Sequence, residues 1–258
     1  MRKQSKIGLA VLAFIYVLFG ALLTLYQENI VYHPNLQDFE NCESFKNTEK
    51  VTYGGTRMYV KDTDKPTVVL YHGNAGSACD RSFYADIFTQ AGYGYIIVEY
   101  AGYSNDLQKP SHALIKHDVQ NVVAYIKENR IQHVAIVGES VGTGIASYHV
   151  SLQSPDKLLL ISPFTNLPDV ARNSFWFYPT SILVNNAFDN VILLTSYQNP
   201  VTIIHGDKDQ IIPFRLGQKL FESLNTRKNL VTIGGAGHND LFAYQEMYIT
   251  VANFLGHN

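Results

Sequence analysis

Five stretches of this chain, TVVLY (67–71), YIIVE (95–99), HVAIV (133–137), KLLLIS (157–162) and PVTIIH (200–205), consist almost wholly of β-forming apolar residues. A strand with one wet face alternates apolar with polar, whereas a run that is apolar throughout belongs to a strand covered on both faces. Between these runs lie segments with apolar residues at helical spacing, such as Leu114, Ile115, Val119, Val122, Val123 and Ile126 within 112–129. Segments 81–90, 144–153 and 241–255 read as helices too, and LVTIG (230–234) as a last strand. Alternating strands and helices predict an α/β fold, a mostly parallel sheet with helices on both faces. EKVTYGGTRMYV (49–60) carries Gly54-Gly55 between two short alternating strands, a hairpin signal that makes the sheet mixed at its start.

The N-terminus has a different character. Residues 7–26, IGLAVLAFIYVLFGALLTLY, form an uncharged run of twenty, about the length that spans a bilayer core as a helix. Arg2, Lys3 and Lys6 precede it, and no Lys or Arg follows until Lys46. That bias puts residues 1–6 in the cytoplasm and the rest of the chain across the membrane. The expected organisation is a cytoplasmic stub (1–6), a single-pass anchor outside the fold (7–26), a connector (27–49) and a folded domain (50–258). A cleaved signal peptide would need a shorter apolar core and a small-x-small site; ALLTLYQEN offers none that convinces.

Within the domain, residues 163–199 separate two strands by more than a plain crossover helix needs. Their aromatic stretch NSFWFYPTSILVNNAF reads as an inserted cap. The net charge of −2 leaves no basic surface for nucleic acid. Cys42 and Cys79 could pair in an oxidising compartment or be small buried residues. Neither lies in a CxxC or His-rich cluster, so no metal site is expected.

The stretch AIVGESVGTG (135–144) leaves a strand and starts a helix, with Ser140 between Gly138 and Gly142. Glycines two residues either side of a serine suit a strand-to-helix bend too tight for neighbouring Cβ atoms. The spacing alone recurs by chance; its strand-turn-helix setting gives it weight. A serine hydroxyl needs a base to become a nucleophile at neutral pH. Of the histidines, His238 lies in the loop GGAGHND between the last strand and helix, at the sheet edge where Ser140 sits. His72 and His205, each in an HG pair at a strand end, read as turn-stabilising. A carboxylate must fix the imidazole tautomer. HGDKDQIIP (205–213) offers Asp207 and Asp209, with geometry slightly favouring Asp209 and a helix-capping role as the rival reading. YHGNAGS (71–77) could aim backbone amides inward, so the amides of Asn74 and Val141 are the candidates for holding an oxyanion.

Together YHGNAGS, EYAGYS, GESVGTG, SPFTNLPDVA, HGDKDQIIP and GHND, with ENIVYHP after the anchor, resemble the α/β-hydrolase superfamily over residues 27–256. More narrowly, the chain resembles its membrane-anchored bud-emergence-type serine hydrolases, relatives of the protein depalmitoylases. The family's HGxxDxxxP loop implies Asp209 as the acid. EYAGYS departs from the family in having Ala101 where an arginine is common.

The resemblance implies a Ser140–His238–Asp209 triad that cleaves esters or thioesters through an acyl-enzyme, with no metal or organic cofactor. Expected partners are a small-molecule or lipidated acyl substrate and, through the N-terminal helix, a membrane, with the catalytic domain on its non-cytoplasmic side. Phe164, Phe175, Trp176, Phe177 and Tyr178 of the cap are candidates to line an acyl pocket. Two other readings are a serine peptidase of the same fold, which would usually need a more elaborate cap and a charged specificity pocket, and a catalytically silent, anchored binding module.

Overall fold

The computed structural model describes residues 2–185 and 188–256, so Met1, Asn186 and Ala187 of the 163–199 insertion, and the terminal His257 and Asn258 lie outside it. In chain order the main elements begin with α1 (Arg2–Val31), the hairpin β1 (Glu49–Tyr53) and β2 (Thr56–Lys61), β3 (Thr67–Tyr71), α2 (Phe83–Gln90) and β4 (Gly94–Glu99). They continue with α3 (His112–Glu128), β5 (Val134–Glu139), α4 (Val141–Leu152) and β6 (Lys157–Ile161). Three short helices follow, α5 (Leu167–Ser174), α6 (Thr180–Leu183) and α7 (Asn190–Leu193). The chain closes with β7 (Val201–Gly206), α8 (Phe214–Ser223), β8 (Lys228–Ile233) and α9 (Gln245–Gly256).

The eight strands form one sheet in the order β8-β7-β6-β5-β3-β4-β2-β1. β1 pairs antiparallel with β2, and β2 antiparallel with β4. All the other pairs are parallel. This is the mixed, mostly parallel sheet that the apolar runs and the early hairpin predict. Successive residues along each strand join different cores. Val69, Ile96, Ile136, Leu158 and Ile203 pack with α3, α4 and α8 on one face. Leu70, Ile97, Val137, Leu159 and Ile204 pack with α2 and α9 on the other. Two dry faces explain why the strands have no polar alternation. Parallel strands also bring their C-terminal ends to one edge, where the loops carrying Asn74, Ser140, Asp209 and His238 emerge.

One feature departs from the expected organisation. The N-terminal helix does not stop at residue 26 but runs to Val31, and Lys6–Val31 is long and apolar enough to cross a membrane. Gln27 and Glu28 end the apolar run without breaking the helix, because neither blocks the backbone ladder as a proline would. Both join the domain instead: Gln27 Oε1 accepts the Asn185 amide at 2.7 Å, and Glu28 Oε1 the His112 amide at 2.9 Å. The helix is thus packed on the fold rather than outside it. The connector is held as well. Cys42 and Cys79 form a disulfide with Cα atoms 5.9 Å apart, and His33–Pro34 pairs with Ala75–Gly76 beside the Asn74 loop.

A buried carboxylate on α3 makes stability depend on pH. Asp118 is 3% exposed and accepts hydrogen bonds from Thr56 Oγ1 (2.7 Å) and the Ala101 amide (2.8 Å). Burial pushes its carboxyl up to about 6 against the pull of those bonds. The folded chain therefore keeps a proton that the unfolded chain sheds, and stability falls as pH rises from about 4 to about 6. Relative to Asp118→Asn, which cannot ionise, the wild type should lose up to about 3 kcal/mol between acidic and neutral pH. Denaturant midpoints measured across that range check it; parallel curves for the two proteins would mean that Asp118 ionises normally.

Candidate active site

β5 ends at Glu139 and α4 starts at Val141, so Ser140 is the whole of the turn. Its backbone sits at φ 54°, ψ −120°, a conformation that non-glycine residues rarely adopt. The two flanking glycines have a steric reason. A Cβ on Gly142 would lie 2.1 Å from the Tyr71 carbonyl oxygen, and one on Gly138 2.7 Å from that of Gly142. The strain is held in place by the Ser140 amide, which donates to Ile161 O at 2.8 Å, and by Thr143 Oγ1, which donates to Ser140 O at 2.6 Å.

Ser140 Oγ lies 2.9 Å from His238 Nε2, and His238 Nδ1 lies 2.7 Å from Asp209 Oδ2. The other carboxylate oxygen of Asp209 accepts the amides of Ile211 (2.9 Å) and Ile212 (2.8 Å). Burial alone would raise this carboxyl. The hydrogen bonds from His205, His238 and the Ile212 amide prevail and hold it well below the usual carboxylate range. Asp207 serves the loop instead, where its Oδ1 accepts the Gly235 amide at 2.7 Å and pins the turn after β8. Of the two aspartates that the loop sequence offers, only Asp209 reaches the imidazole. His72 Nδ1 meets the Gly73 carbonyl at 2.8 Å and holds its own loop, whereas His205 Nε2 lies 2.8 Å from the Ile212 carbonyl and 3.3 Å from Asp209 Oδ2, so it braces the acid as well as the loop. His149 is fully buried against the Tyr71 hydroxyl (2.7 Å), and burial pushes it down to about 3, so it stays neutral.

Asn74 and Val141 both border the cavity above Ser140. Among the described residues, neither amide donates to another protein group. The Asn74 loop is braced from behind: the Tyr100 hydroxyl donates to His72 O (2.9 Å) and the Tyr103 hydroxyl to Asn74 O (2.7 Å). The turn after β4 that carries Ala101 is held by Arg57 from β2. Its guanidinium donates to the carbonyls of Tyr103 (2.6 Å) and Ser104 (3.1 Å).

A cavity of about 580 Å³ opens onto Ser140 and His238. Phe164, Phe175 and Tyr178 are among the residues that line it, and so are Leu23, Ile30 and Val31 of α1, which sequence reading did not bring to the site. Trp176 and Phe177 correct the sequence reading. They do not line the cavity and are 77% and 47% exposed, because the chain between α5 and α6 turns their rings outward. A second cavity of about 340 Å³ also reaches Ser140 and His238. It holds an ion pair that sequence reading missed, with Arg81 Nη2 2.8 Å from Glu139 Oε1 and Arg81 Nε 3.2 Å from Oε2. The one available signal is a charged residue directly before Ser140. No group of histidine, cysteine or carboxylate side chains suited to a metal occurs among the described residues.

No family model matches the chain. An uncharacterized protein of Mycobacterium tuberculosis is 24% identical over 249 residues, spanning 90% of this chain and 89% of its own. Lysophosphatidylserine lipase ABHD12 of Xenopus tropicalis is 30% identical over 183 residues, 63% of this chain and 47% of its own. Among solved structures, an esterase of Pyrococcus furiosus superposes with a TM-score of 0.69 at 16% identity, covering 87% of this chain and 97% of its own. The fold is that of the α/β-hydrolases, a mostly parallel mixed sheet flanked by helices.

Proposed function

We propose that the protein is a membrane-anchored serine hydrolase that cleaves carboxylic esters or thioesters through an acyl-enzyme. The observation that carries this reading is the Ser140–His238–Asp209 relay, at 2.9 and 2.7 Å, opening into an apolar cavity. His238 takes the Ser140 proton as Oγ attacks the acyl carbon, and the amides of Asn74 and Val141 receive the oxyanion. The proton then passes to the departing alcohol or thiol. Water, activated by the same imidazole, releases the acid and restores the serine. Asp209 stays ionised and holds the imidazole with its proton on Nδ1.

The uncharged N-terminal helix supports the anchor. The basic residues before it and the Cys42–Cys79 disulfide support a domain on the non-cytoplasmic side. The relative named as a lipase fits an acyl substrate derived from lipid.

The test is a series of p-nitrophenyl esters from acetyl to palmitoyl. Each methylene buried in the cavity is worth up to about 0.8 kcal/mol, or roughly four-fold in kcat/KM, until the cavity is full. Phe175→Ala should move the optimum to a different chain length. A series that peaks at acetyl and ignores the Phe175 substitution would remove the acyl-pocket assignment.

A further inference from the structure

We propose that cap residues 175–184 are sunk in the lipid leaflet beside α1, and that substrate reaches Ser140 sideways from that leaflet. This rests on the membrane-anchored reading above. Its starting point is the depth at which cap and helix meet. Residues 7–26 form the uncharged run, and Tyr16 stands near its middle. Tyr16 stacks on Tyr178 with ring centroids 4.4 Å apart, its hydroxyl donates to Phe177 O (2.7 Å), and the Tyr178 hydroxyl donates to Tyr16 O (2.9 Å). Gly20 lies against Tyr178 and Leu183, and Gln27 takes the Asn185 amide. The cap thus follows α1 from Tyr16 to Gln27, about 16 Å of helix.

A bilayer core is about 30 Å thick. The part of the uncharged run that precedes Tyr16 covers only about 14 Å at 1.5 Å per residue. It is too short to span alone, so the stretch clasped by the cap must lie in hydrocarbon and carry the cap with it.

The cap is built for that solvent. No charged side chain occurs between Arg172 and Asp189. Of its exposed side chains all but Ser181 are apolar, with Trp176 77%, Phe177 47% and Ile182 80% exposed. Immersion in lipid requires backbone groups to be satisfied internally. Six of the nine amides in residues 175–184, those of Phe175, Tyr178, Thr180, Ile182, Leu183 and Val184, donate to carbonyls within residues 171–180. The route follows from the lining: Leu23 and Thr24 of α1 and Tyr178 and Leu183 of the cap all border the cavity over Ser140. Elements standing in the leaflet therefore wall the cavity, and an acyl chain passes into it without crossing water.

Trp176 is the only tryptophan, so the unmodified full chain reports on the cap. In phosphatidylcholine vesicles, lipids brominated along the acyl chain should quench its fluorescence, and aqueous iodide should quench it several-fold less than in the unfolded chain. Protein that floats with the vesicles while iodide, and not brominated lipid, quenches Trp176 overturns the immersion and leaves the anchor standing. Protein that does not float overturns the anchored reading and this inference with it. For the route, Ile182→Asp places a charge on the outer surface, away from the cavity lining. Hydrolysis of a long-chain ester embedded in vesicles should fall at least ten-fold relative to hydrolysis of p-nitrophenyl acetate. An unchanged ratio of the two rates overturns lateral access.

Discussion

Ser140→Ala should lower ester hydrolysis by on the order of 10³ to 10⁶ while leaving the unfolding midpoint nearly unchanged. The hydroxyl makes one hydrogen bond, to His238, and fills no gap in the core. Alanine meets the same left-handed backbone at φ 54° that serine does, so the strain is the same before and after. Ser140→Gly separates strain from chemistry. It should be as inactive as the alanine variant yet more stable by up to about 1–3 kcal/mol, unless the added freedom of the unfolded chain offsets the gain. Intact-mass analysis after fluorophosphonate treatment checks the nucleophile directly. A covalent adduct on the alanine variant would move that role to another residue.

The parts legible in the sequence were those that repeat or that sterics dictate. Apolar strands alternating with helical spacing could only be buried on both faces, which gave the layers and the parallel sheet. Gly138 and Gly142 were readable because the bend at Ser140 admits no Cβ there. Period-free segments were harder to read. The stretch between α5 and α6 is neither helix nor strand, so no repeat projected its aromatic residues onto a face. Tyr178 turned inward and Trp176 outward without a sequence cue. The Arg81–Glu139 pair joins residues 58 positions apart, and only the fold makes them neighbours. The N-terminal helix was misleading for another reason: hydropathy reports what solvent a segment tolerates, not which protein surface it also touches. Its run to Val31 and its place in the cavity wall depend on Gln27 and Glu28 finding partners far along the chain.

The loop after β7 poses the sharpest test, because two aspartates two residues apart have such different surroundings. Asp209→Asn should cut kcat/KM by about 10⁴, and Asp207→Asn by no more than a few-fold. In Asp209, Oδ1 takes two backbone amides and Oδ2 faces His238 Nδ1. An asparagine there keeps its carbonyl oxygen on the two amides, since its NH₂ group cannot accept them. That turns NH₂ toward His238 Nδ1, which must then be the acceptor, and the ring proton moves to Nε2. The nitrogen facing Ser140 can no longer take a proton. Asp207 is partly exposed and uses one oxygen to accept the Gly235 amide, a bond that asparagine keeps. The measurement is kcat/KM for one soluble ester with both variants at the same pH. If Asp207→Asn were the more damaging, the orienting role would pass to Asp207 and the 2.7 Å contact between Asp209 and His238 would be structural only.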